Sequence, residues 1–322
     1  LKKFMATYKE IRGVNIQSRD SDPTAVEGDV WYNASTSKIK MFAATGSWAS
    51  GGDLNAARMF GVSVGTQTAG LVASGEAATI ITNSEEYNGS TWTEGTDINT
   101  AGNYNYNSFG TQTAACAAGR NHPSDPPGGA ECEEYNGTSW TEVTNTDTTR
   151  YQSGGAGTQT AGLVWGGKSS GGNALAIVET YDGTNWAEVG DLNTGRENVS
   201  GCGAQTAALC IGGYPAKANV ESYNGTSWTE IGDLNANTYG AGSFGTSTSA
   251  IIMGNTPTSA KTEQFDGTSW SEVNDLSVSR AQSNGAGHQT SEAGFVAGGG
   301  PPAIATTEEW TVAASVQTVA FD

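Results

Sequence analysis

One string of eight residues, YNGTSWTE, occurs twice unchanged, at 135–142 and 223–230, and near-copies stand at 87–94 (YNGSTWTE), 181–188 (YDGTNWAE) and 265–272 (FDGTSWSE). The leading aromatics are 48, 46, 42 and 42 residues apart. A recurrence of that length marks stacked supersecondary units, none of which can bury its apolar face alone, so it constrains the fold before any finer reading. Each copy is preceded by a glycine-led apolar run: GTQTAGLVASG (65–75), GTQTAACAAG (110–119), GTQTAGLVWGG (157–167), GAQTAALCIGG (203–213) and GTSTSAIIMG (245–254). It is followed by a segment such as GDLNTGR (190–196) or NDLSVSR (274–280).

The apolar runs are short, and clusters of Gly, Asn, Asp, Ser and Thr separate them, which predicts strands and hairpins rather than helices. Asn-Gly and Asp-Gly supply the positive backbone dihedrals of a hairpin turn, placing the Tyr and the Trp of each copy on adjacent antiparallel strands. Four strands in 40 to 50 residues make one blade of a β-propeller, an all-β fold of sheets packed face to face around an axis. The large aromatics at repeated positions, Tyr87, Trp92, Tyr135, Trp140, Tyr181, Trp186, Tyr223, Trp228, Phe265, Trp270 and Trp310, would then fill the space between blades, with Trp48 in a similar slot upstream.

The same letters resemble the kelch repeat: Gly-Gly closing one strand, Tyr closing the next, Trp on the outer strand and Arg opening the following unit. The resemblance covers residues 58–310 and implies a kelch-like propeller of four-stranded blades. There are departures. The usual proline after Tyr-Asp is absent, the double glycine decays in some units, and Gly102 and Thr238 stand where Arg58, Arg150, Arg196 and Arg280 occur in others. Six units lie between Arg58 and residue 310, and IKMFAATGSWASGGDLNAAR (39–58) reads as the last half of another, with Phe42 and Trp48 in the aromatic slots. Seven blades are therefore favoured, with six blades and an N-terminal attachment hairpin as the alternative. The chain divides accordingly into 1–57, a first blade or attachment hairpin, and 58–322, the repeats.

Glycine is 45 of 322 residues and charged residues are only 15%, the composition of a turn-rich all-β protein. A net charge of −18 argues against nucleic-acid partners, which require clustered Lys and Arg. Acids recur in phase at Glu94, Glu142, Glu188, Glu230 and Glu272, as expected of a solvated outer face. No apolar run has the length of a membrane span, and LKKFMATYKEIRG (1–13) lacks the apolar core of a signal peptide, so neither membrane insertion nor classical secretion is expected.

Candidates for chemistry are few. His122 and His288 are far apart, whereas the kelch-like copper oxidases need two histidines around one metal with Tyr and Cys. Cys116 occupies the slot of Leu163 and Leu209 and reads as a buried hydrophobe, while Cys202 and Cys210 lie on neighbouring strands and leave a disulfide open. The sequons at Asn33, Asn88, Asn136 and Asn224 follow mostly from the Asn-Gly-Thr turn. No P-loop, GxSxG, HExxH or EF-hand pattern is present. No catalytic residue, metal ligand or cofactor is assigned, and the chain reads as non-enzymatic.

What differs between units is the loops, where function resides on a repeated scaffold. The two longest, 120–131 and 167–177, nominate Arg120, His122, Asp125, Lys168 and Asn173 as binding residues. The stretch DPTAVEGDVWYNASTSKIKMF (22–42), with its Gly-Ser-Trp ending at Trp48, is similar to a segment of tail-fibre and other virion proteins of tailed bacteriophages. The repeats are similar to proteins of marine phages. This resemblance implies a tail-associated structural or adhesion protein in the virion, with other virion proteins or further copies of itself as partners and a host surface glycan or receptor as ligand. A secreted or cell-surface bacterial adhesin or carbohydrate-binding propeller is the first alternative, and a propeller glycosidase or oxidase the second.

Overall fold

The computed structural model describes residues 16–24, 28–102, 107–120, 129–215, 217–286 and 290–319. The chain forms two compact units, one of residues 1–47 with 311–322 and one of residues 48–310. In the first, Gln17–Arg19 (β1) pairs in parallel with Val30–Asn33 (β2), which pairs antiparallel with Lys38–Ser50 (β3). The β2–β3 hairpin carries the Trp-Tyr-Asn of the stretch likened to tail-fibre segments. Trp31 is buried and its indole N–H donates to Asp22 Oδ1 at 3.1 Å, while Asn33 Nδ2 donates to the same oxygen at 2.7 Å.

The second unit is built from antiparallel four-stranded sheets. The first blade is Val62–Thr66 (β4), Ala69–Ala73 (β5), Ser84–Tyr87 (β6) and Trp92–Glu94 (β7). The second is Asn107–Thr111 (β8), Ala114–Ala118 (β9), Cys132–Tyr135 (β10) and Trp140–Val143 (β11). The third is Gly154–Thr158 (β12), Ala161–Trp165 (β13), Val178–Tyr181 (β14) and Trp186–Glu188 (β15). Ser200–Ala204 (β16), Ala207–Ile211 (β17), Val220–Tyr223 (β18) and Trp228–Ile231 (β19) form the fourth. Gly242–Gly245 (β20), Ala250–Met253 (β21), Thr262–Phe265 (β22) and Trp270–Glu272 (β23) form the fifth. The sixth is Asn284–Ala286 (β24), Ala293–Ala297 (β25) and the start of Thr307–Thr318 (β26), with β3 beside β26 as its outer strand. The inner strands touch in cyclic order, β4 to β8, β12, β16, β20, β24 and back to β4, so the ring is closed.

The count is six, the second of the two that the repeats allowed. The half-unit around Trp48 does not open a seventh blade but completes the sixth, which otherwise has no Trp strand. Its placement follows the rule of the other blades. In them, Tyr and Trp face each other across the hairpin, as in Tyr87↔Trp92 and Tyr135↔Trp140, with ring centroids 4.7 and 5.0 Å apart. The indole N–H then reaches the blade before: Trp92 Nε1 donates to Thr307 Oγ1 at 3.0 Å, and Trp140 Nε1 to Ser84 Oγ at 3.0 Å. Trp48 does the same, with its ring 5.2 Å from Trp310 and its Nε1 donating to Thr262 Oγ1 at 3.1 Å. The compact units part at 47/48 and 310/311.

Candidate binding face

At one end of the blades the same turns recur from unit to unit. The Asn or Asp of the turn folds its side chain back on the backbone: Asn136 Oδ1 accepts the N–H groups of Thr138 and Ser139 at 3.0 Å each, and Asp266 Oδ1 those of Thr268 and Ser269 at 2.8 Å each. The following glycine is left-handed, with φ of 85° at Gly137 and 92° at Gly267, which a side chain would strain. These two N–H bonds favour the ionised carboxylate and hold Asp182 and Asp266 below the usual aspartate range. The Gln of the other turn stitches neighbouring blades: Gln159 Nε2 donates to Ala115 O and Tyr135 O, and Gln205 Nε2 to Gly162 O and Tyr181 O.

At the opposite end a constant frame surrounds variable residues. Arg58, Arg150, Arg196 and Arg280 are buried, and each pins both ends of the long loop of its own blade. Arg196 Nη1 donates to Gly212 O at 3.0 Å and to Asn219 O at 2.8 Å, while its Nη2 pairs with Glu221 at 2.6 Å. Arg58 pairs likewise with Glu85, Arg150 with Glu179, and Arg280 with Glu308. Each arginine thus anchors a loop inside its own blade rather than between blades. Burial pulls the Arg58, Arg150 and Arg280 guanidiniums down, and the paired carboxylates oppose it.

Next to each arginine, an isolated β-bridge joins the residue after it to the residue after a glycine, Gly75, Gly167, Gly213 or Gly299, that follows the second strand. The bridged residues are Met59 and Glu76, Tyr151 and Lys168, Glu197 and Tyr214, and Ala281 and Gly300. The backbone geometry repeats and the side chains do not. One residue further on, the chain is left-handed in five blades, with φ of 63° at Phe60, 56° at Gln152, 54° at Asn198, 64° at Gly240 and 51° at Gln282. These residues hydrogen-bond around the axis: Asn198 N–H donates to Gln152 O, Gly240 to Asn198, Gln282 to Gly240 and Phe60 to Gln282. Non-glycine residues held in this region cost about 1–3 kcal/mol each and collect at functional sites. Below the ring lies an axial cavity of about 100 Å³, whose lining includes Ser63, Ser108, Ser153, Ser200, Ser243 and Ser283. Ser108 and Ser243 cross-link inner strands through backbone atoms, whereas the Oγ atoms of Ser63, Ser153 and Ser283 are buried without a protein partner. Its size and hydroxyl lining suit ordered water.

The variable residues of three consecutive blades form one cluster. Lys168 Nζ lies 3.1 Å from Glu197 Oε1, and the ring of Tyr214, 48% exposed, meets Tyr239 edge to face at 5.5 Å. The bond to Glu197 raises the Lys168 ammonium pKa, and Tyr151 and Tyr214 lie within electrostatic reach of it. Of the five nominated loop residues, Lys168 belongs to this cluster. Asn173 sits at the tip of the same loop, where its N–H donates to Ser169 Oγ at 3.2 Å. Arg120 pairs with Glu131 at 3.2 Å in the second blade. His122, Asp125 and His288 lie outside the described residues.

Tyr151, Glu197, Tyr214 and Tyr239 were not nominated from the sequence. Their signal is there: Tyr151, Glu197 and Tyr239 directly follow the arginine slot, held by Thr238 in the fifth blade, and Tyr214 directly follows Gly212-Gly213. The in-phase acids of the outer strand, such as Glu94 and Glu230, are exposed as expected. A second in-phase set, Glu85, Glu179, Glu221 and Glu308, serves the buried arginines.

The four cysteines are free. Cys202 and Cys210 do not face each other, because Cys202 stands opposite Leu209 and Cys210 opposite Gly201. The thiols that do meet are Cys116 and Cys132, with Sγ atoms 3.0 Å apart. Among the described residues no group of three or more His, Cys, Asp and Glu side chains is placed to hold a metal, and no helix is long and apolar enough to cross a membrane.

Six four-stranded blades with Gly-Gly, Tyr, Trp and Arg in phase define a kelch-like β-propeller. No family model matches the chain, and no curated protein matches its sequence. Solved structures do share the fold: one described as the structure of YjhT is similar over 82% of this chain and 99% of its own, with a TM-score of 0.67 and 12% identity. At that identity the likeness extends to the fold alone.

Proposed function

We propose that this chain is a non-enzymatic virion protein of a tailed bacteriophage, tail-associated, which binds a host surface glycan or receptor through the variable end of its propeller. The observation that carries the binding part is the set of β-bridges beside the arginine anchors: one rigid backbone frame, repeated from blade to blade, that presents Met59 and Glu76, Tyr151 and Lys168, and Glu197 and Tyr214 in turn. Side chains exchanged on a fixed frame can change ligand without disturbing the fold. The phage assignment is supported by the N-terminal hairpin, in which Trp31 and Asn33 close on Asp22, and by the resemblance of 22–48 to tail-fibre segments. Several copies on one particle would raise weak single-site binding by multivalency.

The test is immunogold electron microscopy of intact particles with antibody against this chain. Gold at the tail or fibre tips supports the proposal. Gold over the capsid recasts the protein as a decoration protein, and unlabelled particles overturn the virion assignment in favour of a bacterial surface adhesin.

A further inference from the structure

We infer that the cluster formed by Tyr151, Lys168, Glu197, Tyr214 and Tyr239 is the glycan site, and that it takes an uncharged hexose unit rather than an acidic one. The inference rests on reading the chain as a binding propeller and adds the place and the chemical class of ligand.

A hexose offers an apolar C–H face and a rim of hydroxyls, and the cluster holds the complement of each. Tyr214 presents nearly half of its surface to solvent and is held by Tyr239 packed edge-on at 5.5 Å. Tyr214 is anchored from behind, since its N–H donates to Glu197 O at 2.6 Å and the two residues form a β-bridge. A tyrosine ring fixed in this way supplies a flat contact at little entropic cost. Beside it, the Lys168 ammonium and the Glu197 carboxylate stand 3.1 Å apart. An ammonium is donor-only with three N–H groups, and a carboxylate is acceptor-only, so the pair can receive one sugar hydroxyl as acceptor and its neighbour as donor. Few convergent polar groups around an aromatic wall are what small-molecule sites are made of.

Charge selects the class. Of these five residues the one cation, Lys168, is already offset by Glu197, so its charge is not left over for a carboxylated or sulfated sugar. The chain carries a net charge of −18, which repels polyanions at long range.

The test uses the whole chain, with saturation-transfer NMR against the methyl glycosides of glucose, galactose and mannose and against methyl glucuronide. Affinity electrophoresis through dextran, galactan and mannan, with carboxymethyl-dextran as the charged control, accompanies it. Ring C–H saturation and retardation are expected with at least one neutral sugar and not with the charged ones. Tyr214→Ala should weaken the response by about tenfold or more, as loss of an aromatic anchor does, and Lys168→Met should lower it without altering the circular dichroism spectrum. Tyr239→Ala is the second variant, since it removes the support of Tyr214 and leaves Tyr214 in place. The inference is overturned if no neutral sugar responds, if the glucuronide responds more strongly, or if both tyrosine variants bind as the parent does. Fluorescent protein that adsorbs to host cells yet ignores neutral sugars would refute this site while leaving adhesion standing. Sugar binding on a protein absent from particles would do the reverse.

Discussion

Single side chains in this protein are best understood by comparing the same slot in successive blades. The outer tryptophans of the first, second and sixth blades each donate to a hydroxyl at the start of the third strand of the blade before, namely Thr307, Ser84 and Thr262. In the third and fourth blades that residue is Val178 or Val220, and the indole N–H groups of Trp228 and Trp270 are buried without a partner. Valine and threonine have nearly the same shape, so Val178→Thr and Val220→Thr each place an acceptor where a donor already waits. Each should stabilise the protein by about 1 kcal/mol, the worth of one such bond, as measured by urea unfolding. A destabilisation would show that the hydroxyl cannot reach the indole. The arginine anchors run the other way. Arg196→Met removes the cation from a pair that is almost fully buried, 1% and 3% exposed, and leaves Glu221 uncompensated. A loss of about 3–5 kcal/mol is expected from such a broken pair, and Arg196→Met combined with Glu221→Met should recover much of it. Equal losses in the single and double variants would contradict the pairing.

At the level of elements, neighbouring blades interlock by trading volume near the axis. In the third blade Gly154 lies opposite Trp165, and a Cβ at Gly154 or at Gly201 of the next blade would stand 2.4 or 2.3 Å from the indole. In the second blade the same place holds Asn107 opposite Ala118, a larger edge residue against a smaller centre. The fifth returns to glycine, Gly242, opposite Met253. Small edges go with a large centre because interiors tolerate neither voids nor overlap. Strand register also decides the cysteines. On β9 and β10, Cys116 stands opposite Glu134 and Cys132 opposite Ala118, which brings the two side chains together on one face of the sheet. Mild oxidation with oxidised glutathione should therefore join Cys116 to Cys132 and leave Cys202 and Cys210 as thiols. Peptide mapping by mass spectrometry reads the outcome, and a Cys202–Cys210 link would contradict the register.

The whole propeller is held by contacts that pass from blade to blade, so its response to pH should be collective. The hydroxyl of Tyr87 donates to Glu309 in the preceding blade, and those of Tyr135 and Tyr181 do likewise to Glu86 and Glu134 at 2.7 and 2.9 Å. Burial, reinforced by the carboxylate, pushes Tyr87 up from 10.0 to about 12 and raises Tyr135 and Tyr181 as well. A raised folded-state pKa means that the stability these tyrosines contribute is complete below pH 10, the unfolded value, and is lost as pH climbs through the folded value. Spectrophotometric titration at 295 nm should show these tyrosines ionising above pH 10 together with unfolding, in one step. Independent ionisation at pH 10 with the fold intact would argue against the inter-blade bonds. Phe265, which takes the same slot without a hydroxyl, follows a blade whose corresponding residue is Ser222 rather than a glutamate.

Much was legible from residues alone. The repeated Tyr, Asn-Gly and Trp determined the hairpins, because only a left-handed glycine and a pair of facing aromatics satisfy that spacing, and the period determined four-stranded blades. Lys168 could be nominated because its segment breaks the period, and it falls in the cluster proposed as the binding site. The blade count was not legible. Half a unit stands at each end of the chain, and only the pairing of β3 with β26, which sets Trp48 against Trp310, shows that the two halves make one blade. The cluster proposed as the binding site was hidden as well. Tyr151, Lys168, Glu197, Tyr214 and Tyr239 are scattered over three repeats, and the packing of consecutive blades brings them side by side. Local sequence specifies turns and strand faces through backbone sterics and alternation, which act over a few residues. Which half-units join into one blade, and which variable residues meet across neighbouring blades, is decided by burial between segments far apart in sequence.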